Sequence, residues 1–221
     1  MALASSTLER FMRILAIDTA AWNCSVALWE DGHELAFQEK VSERDQAALL
    51  PQLVKEVMSQ HAVDQFIVNV GPGSFTGIRI GLAFAKGLSI GLGLPLKGID
   101  SFTATYLSLE SPSDVMILIE ARRQDVFGKR FLKGIPQAPQ TLTREDIEII
   151  LSGSNPPLLA GSGVHTFLEG ISYNEAVSPW RGAQSVAHAF FRDPTLATEP
   201  LPFYMREADV TYSREPCAPV L

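Results

Sequence analysis

The sequence predicts an α/β protein of two lobes related by internal duplication, and three observations carry that expectation. An apolar strand pattern at residues 65–70 runs straight into Gly71-Pro72-Gly73-Ser74-Phe75-Thr76-Gly77 and a helix. The opening arrangement, an apolar strand (residues 14–17) closed by Asp18 and followed by a second strand (24–29), returns at 115–120, closed by Glu120, and at 125–132. Between them lies a segment of helical period, residues 45–60. The 221 residues are 46% hydrophobic and 19% charged, which is ordinary globular composition with enough apolar material for a core.

Each element has a local cause. The run Ile14-Leu15-Ala16-Ile17 is a buried strand, and Asp31-Gly32 between 24–29 and 35–41 is a hairpin turn. In 45–60, Leu49, Leu50, Leu53, Val54, Val57 and Met58 share one side and Gln52, Lys55, Glu56 and Ser59 the other, an amphipathic helix in which Pro51 removes one backbone donor. Residues 98–101 form a short strand ending in an acid or serine helix cap, with the helix running to about 109. Ser111-Pro112-Ser113 is the expected boundary, giving an extension (1–11) before a start at Met12, a partner-binding N-terminal lobe (12–111), a C-terminal lobe (112–214) and a loose tail (215–221). Beyond 134 come a proline-rich link, a helix start at Thr143, a strand at 157–160 into Gly161-Ser162-Gly163, and a helix at 185–191.

Charge and residue usage exclude several chemistries. With 18 basic and 25 acidic side chains the net charge is −7, so the chain exerts no general pull on nucleic-acid phosphates, and RNA contact is expected to need a partner. Cys24 and Cys217 are far apart with no CxxC companions, which fits a reducing, cytoplasmic setting rather than a disulfide framework. His33, His61, His165 and His188 make no HxxxH or HExxH pair, and there is no GxSxG elbow, so no metal and no catalytic residue is assigned. Residues 1–11 carry no signal peptide, and the apolar stretch 80–96 is interrupted by Lys86, which favours a buried or interface helix over a membrane span.

Two features are candidates for function. The glycine loop aims backbone N–H groups at one point, an anion site in which Gly71, Gly73, Ser74 and Thr76, with Asp18 and Thr19 at the neighbouring strand end, would hold nucleotide; the same glycines equally serve a tight turn. There is no Walker lysine. The helix that follows carries Gly77, Gly81, Ala85, Ser89 and Gly93 at intervals of four, with Ala83, Gly87 and Gly91 nearby. Glycine costs a helix about 1 kcal/mol per interior position, so the stripe demands a compensating contact, either a helix of this chain or, as expected here, a protein interface.

Residues 14–20, Cys24-Ser25-Val26-Ala27-Leu28, Gly71 to Gly81, and Pro202-Phe203-Tyr204-Met205-Arg206 together resemble the bacterial TsaB (YeaZ) family. The resemblance implies an actin-like, Hsp70-like (ASKHA) duplicated fold with a reduced second lobe. It also implies a role: a non-catalytic scaffold and activator in the complex that makes N6-threonylcarbamoyladenosine (t6A) on tRNA. TsaD would be its heterodimer partner, met through the helices carrying Leu50, Leu53, Val57 and the Gly77 to Gly93 stripe, and TsaE an associated ATPase; the chain would form a homodimer when alone, meet tRNA only through the complex, and touch no membrane. ATP or ADP would sit, if anywhere, at an interface with partners. The chain lacks glycine two residues after Asp18, where Ala20 stands, and has Asn69-Val70 before the loop in place of the family's Gly-Arg. The alternative is an ATPase or phosphotransferase of the actin-like class working through Asp18 and the Gly71–Gly77 loop.

Overall fold

The structure is a computed structural model that describes residues 11–21, 23–42, 45–59, 61–110, 112–121 and 124–206. The extension, Arg122-Arg123, Cys217 and the tail lie outside the described residues, apart from Phe11.

Alternation along β1 (Arg13–Asp18) decides how the first lobe is layered. Its side chains point to opposite faces in turn, and the strand is apolar on both, so it must be covered twice. Leu15 and Ile17 face one core, completed by α1 (Gln46–Met58) through Leu50, Leu53 and Val57 and by α2 (Phe75–Leu92) through Ile78, Leu82 and Ala85. Ile14 and Ala16 face the other, completed by Val186, Ala189 and Phe190 of α6 (Ala183–Arg192). β1 pairs antiparallel with β2 (Asn23–Glu30) and parallel with β4 (Gln65–Asn69), and the sheet reads β3-β2-β1-β4-β5, with β3 His33–Val41 and β5 Leu96–Ile99. The β2–β3 turn has positive φ at both Asp31 (46°) and Gly32 (83°), the twist a two-residue hairpin requires. Pro51 sits inside α1 on its exposed side, where the lost donor falls towards solvent.

The second sheet repeats the first. β6 (Asp114–Glu120) is antiparallel to β7 (Asp125–Leu132) and parallel to β10 (Leu158–Ala160), as β1 is to β2 and β4. β8 (Ile135–Pro136) and β9 (Gln140–Thr143) both pair with β7. Val115, Ile117 and Ile119 face Phe102 and Leu109 on and just after α3 (Ser101–Leu107), while Met116 and Leu118 face Ile147 of α4 (Arg144–Leu151) and Val164 of α5 (Gly163–Phe167). Thr143 and Asp146 form a reciprocal capping box at the start of α4. The helices here are shorter than α1 and α2, which is the reduction expected of the second lobe.

The first sheet ends at β5 and the second begins at β6, and the described chain after residue 182 returns to the first sheet. α6 completes a core of the first sheet, Thr198 bridges to Gly98 on β5, and the Phe203 N–H donates to the Val70 carbonyl (2.8 Å). The first lobe is therefore discontinuous, because a sheet apolar on both faces needs a helix that the first hundred residues do not supply.

α6 is fastened to β2 by an aromatic cluster in which Trp29 lies 5.2 Å from Trp180, 6.0 Å from His188 and 6.3 Å from Phe191. Burial, with Arg192 nearby, holds the His188 pKa below the usual histidine value against a hydrogen bond to the Leu107 carbonyl. The unfolded chain then binds a proton the folded one refuses, so stability is expected to fall as pH drops below about 6.5 and on towards the folded pKa. His188→Gln should flatten this slope, measured by urea unfolding between about pH 7.5 and 5; an unchanged slope would assign it elsewhere.

Candidate functional site

The two sheets meet at a cleft that encloses about 520 Å³, within the range of small-molecule sites. Asp18 at the end of β1 and Glu120 at the end of β6 stand on its two walls, and Ala104, Leu109, Ile119 and Trp180 supply apolar surface.

Asp18 is 6% exposed and both its oxygens are engaged. Oδ1 accepts from the Ala20 N–H (2.8 Å) and Oδ2 from the Asn69 side-chain amide (3.0 Å). Asn69 Oδ1 accepts from the Gly71 N–H (2.9 Å) and lies 2.9 Å from Ser101 Oγ, which also reaches the Pro72 carbonyl at 2.8 Å. One amide thus ties the end of β1, the glycine loop and the start of α3 together. Burial raises the Asp18 pKa above the ordinary carboxylate value; the Asn69 and Ala20 hydrogen bonds oppose this and Glu39 adds to it. Beside it, burial and the Asp18 charge push the Cys24 thiol up to about 12, leaving it unreactive.

The glycine loop is turned inward. Ser74 N–H donates to the Ala20 carbonyl (2.7 Å), Gly77 N–H to Ser74 Oγ (3.2 Å), and Thr19 Oγ1 to the Gly77 carbonyl (2.7 Å). A Cβ at Gly73 would stand 2.3 Å from the Ala20 oxygen and one at Gly77 only 1.9 Å from the Thr19 oxygen. These glycines exist so that the loop can press against the turn after β1. Of the expected nucleotide residues, Asp18 and Ser74 line the cleft, while Thr19 and Gly71 are buried behind it, Gly73 is pressed on Ala20, and Thr76 is exposed on α2. Of the loop's amides, the Ser74 N–H is spent on the Ala20 carbonyl, the Gly71 N–H on Asn69 Oδ1 and the Gly77 N–H on Ser74 Oγ. Among the described residues the cleft also carries the carboxylates of Asp18, Glu39, Glu120 and Glu175 against Arg181, which pairs with Glu39 (2.7 Å), and His165, 3.1 Å from Glu175.

Most of the expected interface residues also lie against the protein's own interior. Leu50 and Leu53 are fully buried and Val57 nearly so, and Gly77, Gly81 and Ala85 face the protein's own sheet and the Thr19 side chain. Ser89 is half-buried, with its hydroxyl on the Leu94 carbonyl (2.6 Å). Gly93 is the C-cap, with φ 66°. The exposed small residues are instead Ala83, Gly87 and Gly91, four apart, and a Cβ at Gly87 or Gly91 would meet nothing within 4 Å. Ile90 is 83% exposed beside them. α2 is also long and apolar enough to cross a membrane by length and composition, with mean hydropathy 1.3. Its inner face packs against the first sheet.

Sequence reasoning noted Asn69 only as a departure from a family pattern. An amide at the end of a strand buried on both faces needs partners, and that signal pointed to the hub.

A family model described as TsaD, tRNA N6-adenosine threonylcarbamoyltransferase, matches residues 39–141. The chain is 36% identical over 124 residues to the tRNA threonylcarbamoyladenosine biosynthesis protein TsaB of Escherichia coli, covering 52% of this chain and 53% of that protein. TsaB of Haemophilus influenzae is 32% identical over 124 residues, 52% of each chain. The solved structure of YeaZ from Pseudomonas aeruginosa superimposes with a TM-score of 0.67 at 22% identity, over 88% of this chain and 100% of that one. The chain is similar to TsaB (YeaZ) proteins in sequence over about half its length and in fold over most of it. Its duplicated sheets are an actin-like arrangement, a fold shared with that structure. The chain spans about half the length of the curated TsaB relatives it matches.

Proposed function

We propose that this chain is a TsaB-type non-catalytic scaffold and activator subunit of cytoplasmic t6A biosynthesis, pairing with a TsaD-type transferase and supporting a TsaE-type ATPase. The observation that carries this reading is the glycine loop folded onto the turn after β1. The ATPase alternative needs these groups free for phosphate, whereas the Ser74 N–H is spent on the Ala20 carbonyl and Asp18 is held by Ala20 and Asn69. What remains available is a surface. The outer face of α2 offers Ala83, Gly87 and Gly91, over which another helix can approach closely, with Ile90 as an apolar anchor. The same face would serve a second copy of the chain when the partner is absent.

Light scattering on size-exclusion chromatography of the chain mixed with TsaD from the same cell tests this. A one-to-one complex is expected, and Ile90→Glu should weaken it at least tenfold with the melting temperature unchanged, because the side chain is 83% exposed in the free chain. Gly81→Leu is unsuitable for this purpose, since its side chain would strike Thr19. Absence of a complex, or a complex indifferent to Ile90→Glu, would overturn the reading. ATP hydrolysis by the chain alone that Asp18→Asn abolishes would replace it with the enzymatic alternative.

A further inference from the structure

The segment from Thr198 to Arg206 touches both lobes, and the proposed function makes no use of it. Among the described residues the main chain passes between the sheets three times. The first passage, between Ser108 and Asp114, and the second, between Ala176 and Ala183, run side by side: Ser178 Oγ donates to the Ser108 carbonyl at 3.2 Å. Two crossings this close act as one hinge. Between the lobes the second sheet also rests on α3, where Tyr106 stacks on Phe131 with centroids 4.1 Å apart and planes 3° from parallel. A flat aromatic stack resists separation but is weakly directional against sliding.

The third passage is anchored differently. On the first lobe, Thr198 exchanges backbone hydrogen bonds with Gly98 (2.8 and 2.9 Å), and the Phe203 N–H donates to Val70. Tyr204 accepts from Arg79 Nε at 3.1 Å, and the Arg79 guanidinium lies 3.8 Å above the Phe75 ring, which itself sits 4.8 Å from Tyr204. On the second lobe, Phe203 and Met205 pack against the core of the second sheet, and Arg206 pairs with Asp125 while lying over Phe127 at 5.2 Å. Asp125 opens β7 at the cleft end, where Glu120 pairs with Val126; the hinge enters β6 at Asp114, the opposite end. Seven residues of β6 place those two ends about 20 Å apart. A charge-assisted contact at the far end of such a lever restrains rotation that the hinge itself permits.

We infer that Leu201 to Arg206 is an interlobe clasp: Tyr204 fixes it to α2, Arg206 fixes it to β7, and closure of the pair sets the angle between the lobes and so the width of the cleft.

The test measures the interlobe distance in the full chain by double electron–electron resonance. Spin labels are placed on the exposed Glu56 and Glu145 positions through Glu56→Cys and Glu145→Cys, with Cys217→Ser; the buried Cys24 thiol, pushed up to about 12, is a poor target for the label. The parent is expected to give one narrow distribution. Arg206→Ala and Asp125→Ala should each broaden it with added population at longer distance, and the charge-exchanged pair Arg206→Asp with Asp125→Arg should restore the narrow form. A narrow distribution retained in both single variants would overturn the clasp, as would a broadening the exchanged pair fails to reverse. The side chains are 28% and 23% exposed, so their loss alone should leave the fold intact. If a single variant unfolds, Asp125→Asn is read in its place against the same two outcomes.

Discussion

Replacing Asn69 with leucine is expected to destabilise the protein by roughly 3 to 5 kcal/mol, visible as a lowered urea midpoint with an unchanged m-value. The magnitude follows from what one amide does. Its loss removes a partner from the buried Asp18 carboxylate and from the Gly71 N–H and leaves Ser101 Oγ only the Pro72 carbonyl, in a region with little water to replace it. The pH dependence should change as well. The Asp18 pKa is raised on folding, so the stability linked to its proton is fully present below the unfolded value near 3.9 and is lost as pH rises through the folded value. Asn69 opposes that rise, so in Asn69→Leu the folded pKa should climb further and the loss with rising pH should be larger. The exchange Asp18→Asn with Asn69→Asp supplies a control. The amide introduced on β1 can accept from Ala20 and donate to the carboxylate introduced on β4, which can in turn accept from Gly71 and Ser101. Every hydrogen bond is then kept, and only the one between the two exchanged side chains reverses its direction. Most of the lost stability should return; if it does not, the hub is not what holds this corner.

Gly77→Ala is expected to cost about 3 kcal/mol or more, or to prevent folding, because the added Cβ would stand 1.9 Å from the Thr19 carbonyl oxygen. Neither side of that contact is a flexible side-chain end. The helix start and the strand end must separate, which also breaks the Thr19 hydroxyl bond to the Gly77 carbonyl. Gly87→Ala on the same helix is expected to do the opposite and stabilise by about 0.5 to 1 kcal/mol, since its Cβ meets nothing and glycine is the poorer helix former. Thermal unfolding of the two variants beside the parent checks both. Equal effects would mean that the glycines of α2 serve one purpose, whereas the structure gives them three: close approach to β1, an open outer face and a helix stop.

Much of the fold was legible because local rules and tertiary packing agree. The run Ile14 to Ile17, the Asp31-Gly32 turn, the amphipathic helix and the return of the strand pattern at Val115 each appear where expected. The return of α6 to the first sheet was not legible. Nothing in the composition of residues 183–192 says which sheet they cover, and only the doubly apolar β1 and β2 explain why that helix returns to the first lobe.

For the site, residue order alone established which groups would gather: an acid at each strand end, a glycine loop, and a helix of small residues. It could not establish which way they face. A glycine that leaves room for a phosphate and a glycine that admits the neighbouring carbonyl are written identically, and a small residue on a helix is silent about whether the approaching surface belongs to the same chain. Three-dimensional packing resolved both, because the helix phase sets Gly77 and Gly81 against Thr19 and leaves Gly87 and Gly91 open. Likewise Asn69 became a hub only when the end of β1, the glycine loop and the start of α3 converged on its amide. Periodicity fixes which residues share a face; what lies opposite that face is set by contacts between residues distant in the chain, and those exist only once the sheet has formed.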